Sequence, residues 1–244
     1  MRTDRIYTPQ PLAVDARIEL DAGARRHVAQ VLRLGTGDSL VLFNGDGRDY
    51  QATLVSAGGH TVAEVLDAGP EEPAPPLALT LALGISRGER MDYALQKAVE
   101  LGVAALVPLF TERSLVKLKE DRLEKRRRHW QGVVVAACEQ SGRRRLPPLA
   151  APQKLGAWLQ SLPAEHHGVL LHHAAAHTLP ELAAPAGALT LLVGPEGGLA
   201  PAERAGAEAA GFAAVRLGPR VMRTETAPLA ALAAMQTLWG DFRN

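Results

Sequence analysis

The sequence predicts an α/β protein: a mostly parallel sheet with flanking helices, preceded by a small β-barrel. Three observations predict it. Residues 77–244 alternate short apolar runs with stretches of helical period, the pattern of strands joined through crossover helices. Residues 5–67 instead carry short alternating segments and turn residues. Between them lies "GPEEPAPP", four prolines in eight residues, which is a stiff linker and sets boundaries of 1–70 and 77–244 for two domains.

In the first domain "SLVLFNGDG" reads as a strand entering an Asn-Gly-Asp-Gly turn, and "YQATLVSAGG" and "TVAEVLDA" read as further strands. "AGARRHVAQVLRL" is a helical insert. After the linker, "LALTLALGI" is a buried strand and "GERMDYALQKAVELGV" an amphipathic helix ending near Gly102. "ALVPLF" is the next strand, and "KEDRLEKRRRHWQGVVVAACEQSG" a long helix. "HGVLLHHA" and "ALTLLVGP" are strands, and "PAERAGAEAAGF" is a helix with proline in its first turn. "AAVRLGP" is the last strand, and "TAPLAALAAMQTLWGDF" the closing helix, with Leu232, Met235 and Trp239 on one face.

The composition, 47% hydrophobic and 22% charged with a net charge of +1, is that of a folded globular chain. One cysteine, Cys138, excludes an internal disulfide framework, and its apolar helical setting predicts a buried, inert thiol. No apolar run has the length of a membrane span, and "MRTDRIYTPQ" lacks the apolar core of a signal peptide, so a soluble cytoplasmic protein is expected.

Two loops carry the chemistry. In "LLVGPEGGLAPAE" a buried strand stops at three glycines in five residues and restarts as a helix, where open parallel sheets bind ligands. An ordinary strand-to-helix turn would also use glycine. The P-loop pattern and the dinucleotide fingerprint are both missing. The second loop, "RLGPRVMRTETAPLAA", has the same placement and sets Arg220, Arg223 and Glu225 beside Leu217, Val221 and Met222. Main-chain groups beside apolar side chains suit an adenine-like ligand, and arginines suit an anion. Arg223 and Glu225 would equally make a surface ion pair. His172, His173 and His177 lack the partners of a zinc site, so no metal is expected.

From Glu112 to Arg145 there are eleven Lys/Arg against five Asp/Glu. "EKRRRHW" contributes Arg126, Arg127 and Arg128, and "SGRRRLP" contributes Arg143 and Arg144. Such a run is commonly a solvated helix face. With Arg25, Arg26 and Arg33 of the first domain, and Arg87 and Arg113, it reads as a nucleic-acid surface.

"SRGERMDYALQKAVELGV", "PLFTERS", "ACEQSGRRRLP", "LVGPEGGL" and "LGPRVMRTETAPL" together resemble the small-subunit ribosomal RNA methyltransferase E family of the SPOUT superfamily. "RRHVAQVLRLGTGDSLVLFNGDG" is similar to that family's PUA-like barrel. The resemblance implies methylation of uridine N3 in 16S rRNA, with S-adenosylmethionine as donor, a carboxy-terminal trefoil knot and an obligate homodimer. Its interface is expected to include the Leu232, Met235 and Trp239 face of the closing helix. General topology rules argue against a knot. The family's cofactor loops map onto "LLHHA", "VGPEGG" and "LGPRVMRTETA". That implies Leu171, Val193, Gly194, Glu196, Gly197, Gly198, Leu217, Gly218, Val221, Met222 and Thr226 as cofactor-binding residues. The chain departs from the pattern at His173, and no Ser/Thr caps the helix at Pro201.

Uracil N3 keeps its proton at neutral pH, so a base and an anion-stabilising cation are needed. Glu225 and Arg223 are the pair in a cofactor loop suited to those roles. Two rival functions remain open at this stage: a related methyltransferase acting on 2′-hydroxyls or on tRNA, and a ribosome-assembly factor with a vestigial cofactor site.

Overall fold

The computed structural model describes residues 4–58, 60–114 and 120–243. Its contacts divide the chain into two units, one of Met1–Ala74 with Val135–Leu146 and one of Pro75–Val134 with Pro147–Asn244.

The first unit contains β1 (Arg5–Tyr7), β2 (Arg17–Ile18), α1 (Ala22–Arg26), β3 (Ser39–Phe43), β4 (Tyr50–Ala57) and β5 (His60–Ala68). The strands form one sheet in the order β1-β3-β4-β5-β2, antiparallel except for β1 against β3. Alternate residues of the strands, among them Leu40, Leu42, Ala52, Leu54, Ala63 and Val65, make a dry core with Ile6, Ile18 and Val28. Asp21 caps α1 by accepting the Ala24 N–H at 2.8 Å. The expected helical insert then continues as a π-helical stretch, His27–Leu32, and stops at Arg33 in the left-handed conformation, φ 58°.

The segment 135–146 belongs to this unit because of charge pairing. The guanidinium of Arg5 donates to the carbonyls of Cys138 (2.9 Å) and Arg143 (3.0 Å) and to Asp49 (2.6 Å), and it lies over the Phe43 ring. The Arg144 and Arg145 N–H groups both donate to Glu72 Oε2. Arg144 also donates to the Pro70 carbonyl at 2.7 Å, while Arg145 pairs with Glu71. In the acidic half of the proline-rich linker, Arg145 therefore neutralises Glu71, and Glu72 is held by backbone N–H groups.

The second unit contains β6 (Ala78–Gly84), α2 (Glu89–Glu100), β7 (Ala105–Phe110), most of α3 (Glu120–Ser141), β8 (Gln153–Lys154), α4 (Leu155–Gln160), β9 (Gly168–Leu171), β10 (His177–Thr178), β11 (Ala188–Val193), α5 (Pro201–Ala209), β12 (Phe212–Arg216) and α6 (Thr226–Trp239). Every strand pair in its sheet is parallel, in the order β10-β12-β9-β11-β6-β7-β8. Val193 sits opposite Leu83, and Leu171 opposite Val215, so β6, β9, β11 and β12 end along one edge. The loops after them emerge together. The central strands are buried on both faces and read as continuous apolar runs, as parallel sheets require.

The main elements form where their patterns place them. The helix α2 ends one residue before Leu101, and Gly102 then takes φ 81° as its left-handed terminator. α5 begins at Pro201 without a capping hydroxyl; the Glu203 carboxylate accepts the Ala200 N–H at 2.8 Å instead. Cys138 is fully buried. No described helix is long and apolar enough to cross a membrane.

One expectation is corrected. Leu232 and Met235 have no exposure within the single chain, and buried Gln236 donates to the Leu101 carbonyl at 2.9 Å. The Leu232 and Met235 side chains pack against their own unit and leave nothing there for a second copy, while Trp239, the third residue of the face, is only half-buried. α6 is apolar nearly all round, so its composition does not say which stripe faces inward.

Candidate active site

The strand-end loops enclose a cavity of about 530 Å³. Its walls are the end of β9 (Leu171 to His173), the glycine loop after β11 (Gly194 to Leu199), and the segment from Val215 to Ala227.

The glycine loop is shaped first by its own folding. The Gly198 N–H donates to the Pro195 carbonyl at 2.8 Å, closing a turn with Gly198 at φ 66°. A Cβ on Gly194 would lie 2.9 Å from the Leu199 nitrogen, so only glycine lets the loop double back. The loop is then held from three sides. The Arg113 guanidinium donates to the Gly197 carbonyl at 3.1 Å. Glu203 links the Ala200 N–H to the Glu112 N–H. The Thr224 hydroxyl donates to the Gly194 carbonyl at 3.0 Å and lies 3.4 Å from the hydroxyl of buried Ser86, which joins the loops after β6, β11 and β12.

Glu196 and Glu225 meet through Arg90. Glu196 Oε1 accepts the Arg87 N–H at 3.0 Å and Arg90 Nη1 at 3.1 Å, while Arg90 Nε is 3.9 Å from Glu225 Oε2. Burial raises the Glu196 carboxyl. The Arg87 N–H, its own N–H and Arg90 outweigh that and hold it below the ordinary carboxylate value. The remaining Glu196 oxygen and Glu225 Oε2 are both buried without a hydrogen-bond donor. Buried polar atoms without a hydrogen-bond partner are rare in folded proteins.

Leu171, Val193, Gly194, Glu196, Gly197, Gly198, Leu217, Val221, Met222, Arg223 and Glu225, all singled out in the sequence, line the cavity. Gly218 lines a neighbouring hollow with Leu179, Pro180, Ala234 and Leu238. Thr226 opens α6, its N–H bonded to the Arg223 carbonyl at 3.0 Å. Arg90, Arg204, Arg216 and Thr224 also line the cavity and were missed in the sequence. Arg90 could have been found, because it lies in the first turn of the helix that follows a strand ending at the same edge. Among the described residues no cluster of His, Cys, Asp or Glu could hold a metal ion.

A family profile described as an RNA methyltransferase domain matches residues 73–236, and one described as an RNA methyltransferase PUA domain matches residues 20–66. The ribosomal RNA small subunit methyltransferase E of Buchnera aphidicola is 31% identical over 98% of both chains. The chain belongs to the ribosomal RNA small subunit methyltransferase E family. Two solved structures resemble it over nearly its whole length. The small subunit methyltransferase E of Neisseria gonorrhoeae, bound to S-adenosylmethionine, is 42% identical with a TM-score of 0.90, covering 99% of this chain and 100% of that one. A Legionella pneumophila methyltransferase in complex with the same cofactor is 36% identical with a TM-score of 0.92, at the same coverage. The fold expectation of a parallel α/β sheet after a PUA domain therefore holds for this methyltransferase E family member.

The basic residues of this family member fall into two groups. Arg25, Arg26, Arg33, Arg87, Arg113 and Arg128 are exposed, and Arg126 and Arg127 are half-buried on α3. Arg127 lies 3.7 Å from Glu124. Arg144, in contrast, is committed to Pro70, Glu72 and Asp49, and the Arg143 carbonyl to Arg5.

Proposed function

We propose that this RNA methyltransferase uses S-adenosylmethionine to methylate N3 of a uridine in 16S rRNA. The observation that carries the reading is that Glu225 and Arg223 line the same cavity as the glycine loop, although Gly194 and Glu225 come from different strand ends. Bound there, S-adenosylmethionine supplies an electrophilic methyl group. The residues fit it: Leu171, Val193 and Leu217 offer apolar walls, the 194–198 main chain offers polar groups, and the Glu196 carboxylate offers a buried acceptor. Gly218, Val221, Met222 and Thr226 complete the assigned cofactor set.

Glu225 is the base in this reading. Its buried Oε2 accepts the uracil N3 proton, and the Arg223 guanidinium stabilises the charge that develops on the uracil oxygens. The N3 electron pair then forms the bond to the methyl carbon as the carbon–sulfur bond breaks, leaving S-adenosylhomocysteine. No step needs a metal. A target in folded rRNA reaches this cavity only if its base leaves the stack. Exposed Arg25, Arg26, Arg33, Arg87, Arg113 and Arg128, with Arg126 and Arg127, are the assigned phosphate contacts, which position the RNA without specifying its sequence.

The family resemblance extends the reading to a knotted path, a homodimer and a cytoplasmic enzyme. The pin between Thr224 and Gly194 supports the first, because it draws the segment before α6 against the loop after β11. For the dimer, the hollow beside Ala234 and Leu238 is a part of α6 that its own unit covers only partly.

The test is in vitro methylation of 16S rRNA in unmodified small subunits, followed by nuclease digestion and mass spectrometry. N3-methyluridine is the expected product. A 2′-O-methylated nucleoside, or no S-adenosylmethionine binding by calorimetry, would overturn the reading.

A further inference from the structure

Six arginines line the cavity (Arg90, Arg113, Arg204, Arg216, Arg220 and Arg223), against two acidic residues, Glu196 and Glu225. Among the described residues only Arg90 of the six lies within ion-pairing distance of a carboxylate. The cavity lining thus carries an excess of four positive charges, and among the described residues five of its guanidiniums have no carboxylate partner. Folded proteins seldom crowd unneutralised guanidiniums unless an anion joins them.

Three of these side chains are held in place. Arg113 donates to the Gly197 carbonyl at 3.1 Å, Arg204 to the Leu199 carbonyl at 2.9 Å, and Arg216 to the Ala175 carbonyl at 2.6 Å. Each such bond fixes the plane of a guanidinium and leaves most of its five N–H donors free. Arg220 is exposed on the loop before α6. His172 reports the same crowding: burial first, then Arg204 and His173, hold its imidazole below the ordinary value, with only Glu208 opposing.

The proposed cofactor cannot account for this charge. S-adenosylmethionine carries a sulfonium, an ammonium and one carboxylate, a net positive charge. It therefore gains nothing from four surplus cations. A polyanion does. Planar guanidiniums engage phosphate through paired N–H donors.

We infer that Arg204 and Arg220, with Arg216 beside them, form a clamp for the backbone phosphates flanking the target nucleotide, built into the rim of the cofactor cavity itself. The clamp rests on the reading of the chain as an S-adenosylmethionine-dependent rRNA methyltransferase. It sets the target nucleotide by gripping its own backbone at the cavity mouth, whereas the basic residues of α1 and α3 grip RNA elsewhere.

The test measures the salt dependence of binding to a 16S rRNA transcript for the wild type, Arg204→Gln, Arg220→Gln and Arg220→Lys. S-adenosylmethionine and S-adenosylhomocysteine affinities are measured on the same proteins by calorimetry. Each glutamine variant is expected to lower the slope of log K against log salt by about one, near the 0.7 to 0.9 per phosphate of counterion release. Arg220→Lys should keep the slope. Cofactor affinity should stay within about two-fold or tighten, with S-adenosylmethionine favoured over the net-neutral product, because a like charge has been removed. An unchanged slope in Arg220→Gln overturns the clamp even if Arg204→Gln disturbs the glycine loop. Weakened S-adenosylmethionine binding with an unchanged slope assigns the arginines to the cofactor carboxylate and also overturns it. If the wild type binds no cofactor, the functional reading fails instead.

Discussion

The hydroxyl of Thr224 donates to the carbonyl of Gly194 at 3.0 Å, across a sequence separation of thirty residues. It ties the loop bearing Arg223 and Glu225 to the glycine loop. Replacing Thr224 by Val keeps the shape and removes the donor, leaving the Gly194 carbonyl unpaired. Misplacing reacting groups by an ångström costs on the order of 10²-fold in rate. Thr224→Val is expected to lower kcat about 10- to 100-fold on 16S rRNA, with S-adenosylmethionine affinity within about three-fold. Thr224→Ser should restore most of the activity; failure of that rescue would mean the threonine methyl, not the hydroxyl, is what counts.

Glu225→Gln preserves size and removes the base. Methylation should fall about 10²-fold or more while cofactor binding persists. Near-normal turnover in single-turnover assays would remove Glu225 from the mechanism, and lost cofactor affinity would make it a loop residue.

The basic helix is tested separately from the cavity. Replacing Arg126, Arg127 and Arg128 with Ala should weaken rRNA binding and lower the salt slope by roughly one per lost phosphate contact, with cofactor affinity unchanged. If the slope does not move, these side chains only solvate α3, and contacts such as Arg127 with Glu124 are their whole role.

Cys138 is fully buried, and burial pushes its thiol up to about 11. The neutral thiol is therefore favoured in the folded chain. Its contribution to stability is complete below the ordinary value of 9.0 and is lost as pH rises through about 11. Thiol reagents at pH 8 should label Cys138 only after unfolding by denaturant. Stoichiometric labelling of the native protein would contradict the buried placement.

In the proposed dimer, the hollow formed by Leu179, Pro180, Leu217, Ala234 and Leu238 would be the contact between two copies. A charge there would have to be buried without a partner, so Leu238→Glu should give a monomer by light scattering at micromolar concentration. A wild-type monomer with full activity would remove the dimer from the reading.

Local pattern in the sequence determined much of this protein. Period-two and helical repeats mark the principal strands and helices, and the proline-rich run marks the change of architecture. Two Gly-Pro loops at the ends of buried strands point to the site, because parallel strands present those ends together. The short elements β1, β2, β8, β10 and α4 hold too few residues to show a period. Other features depend on pairing between distant residues. Glu71 pairs with the Arg145 guanidinium, seventy-four positions away, and Asp49 with that of Arg144, so a run that looks free for RNA is partly neutralised. The buried stripe of α6 was undecidable from a helix that is apolar nearly all round, and contact with the Leu101 carbonyl selects it. The convergence of Arg113, Arg204 and Arg216 on the cavity that Arg220 also lines was likewise invisible. The sheet order β12-β9-β11-β6 interleaves strands remote in sequence, and only that order brings those side chains to one cavity. Periodicity reports what a residue's near neighbours along the chain require, whereas the energy of a charge depends on every group within a few ångströms in space.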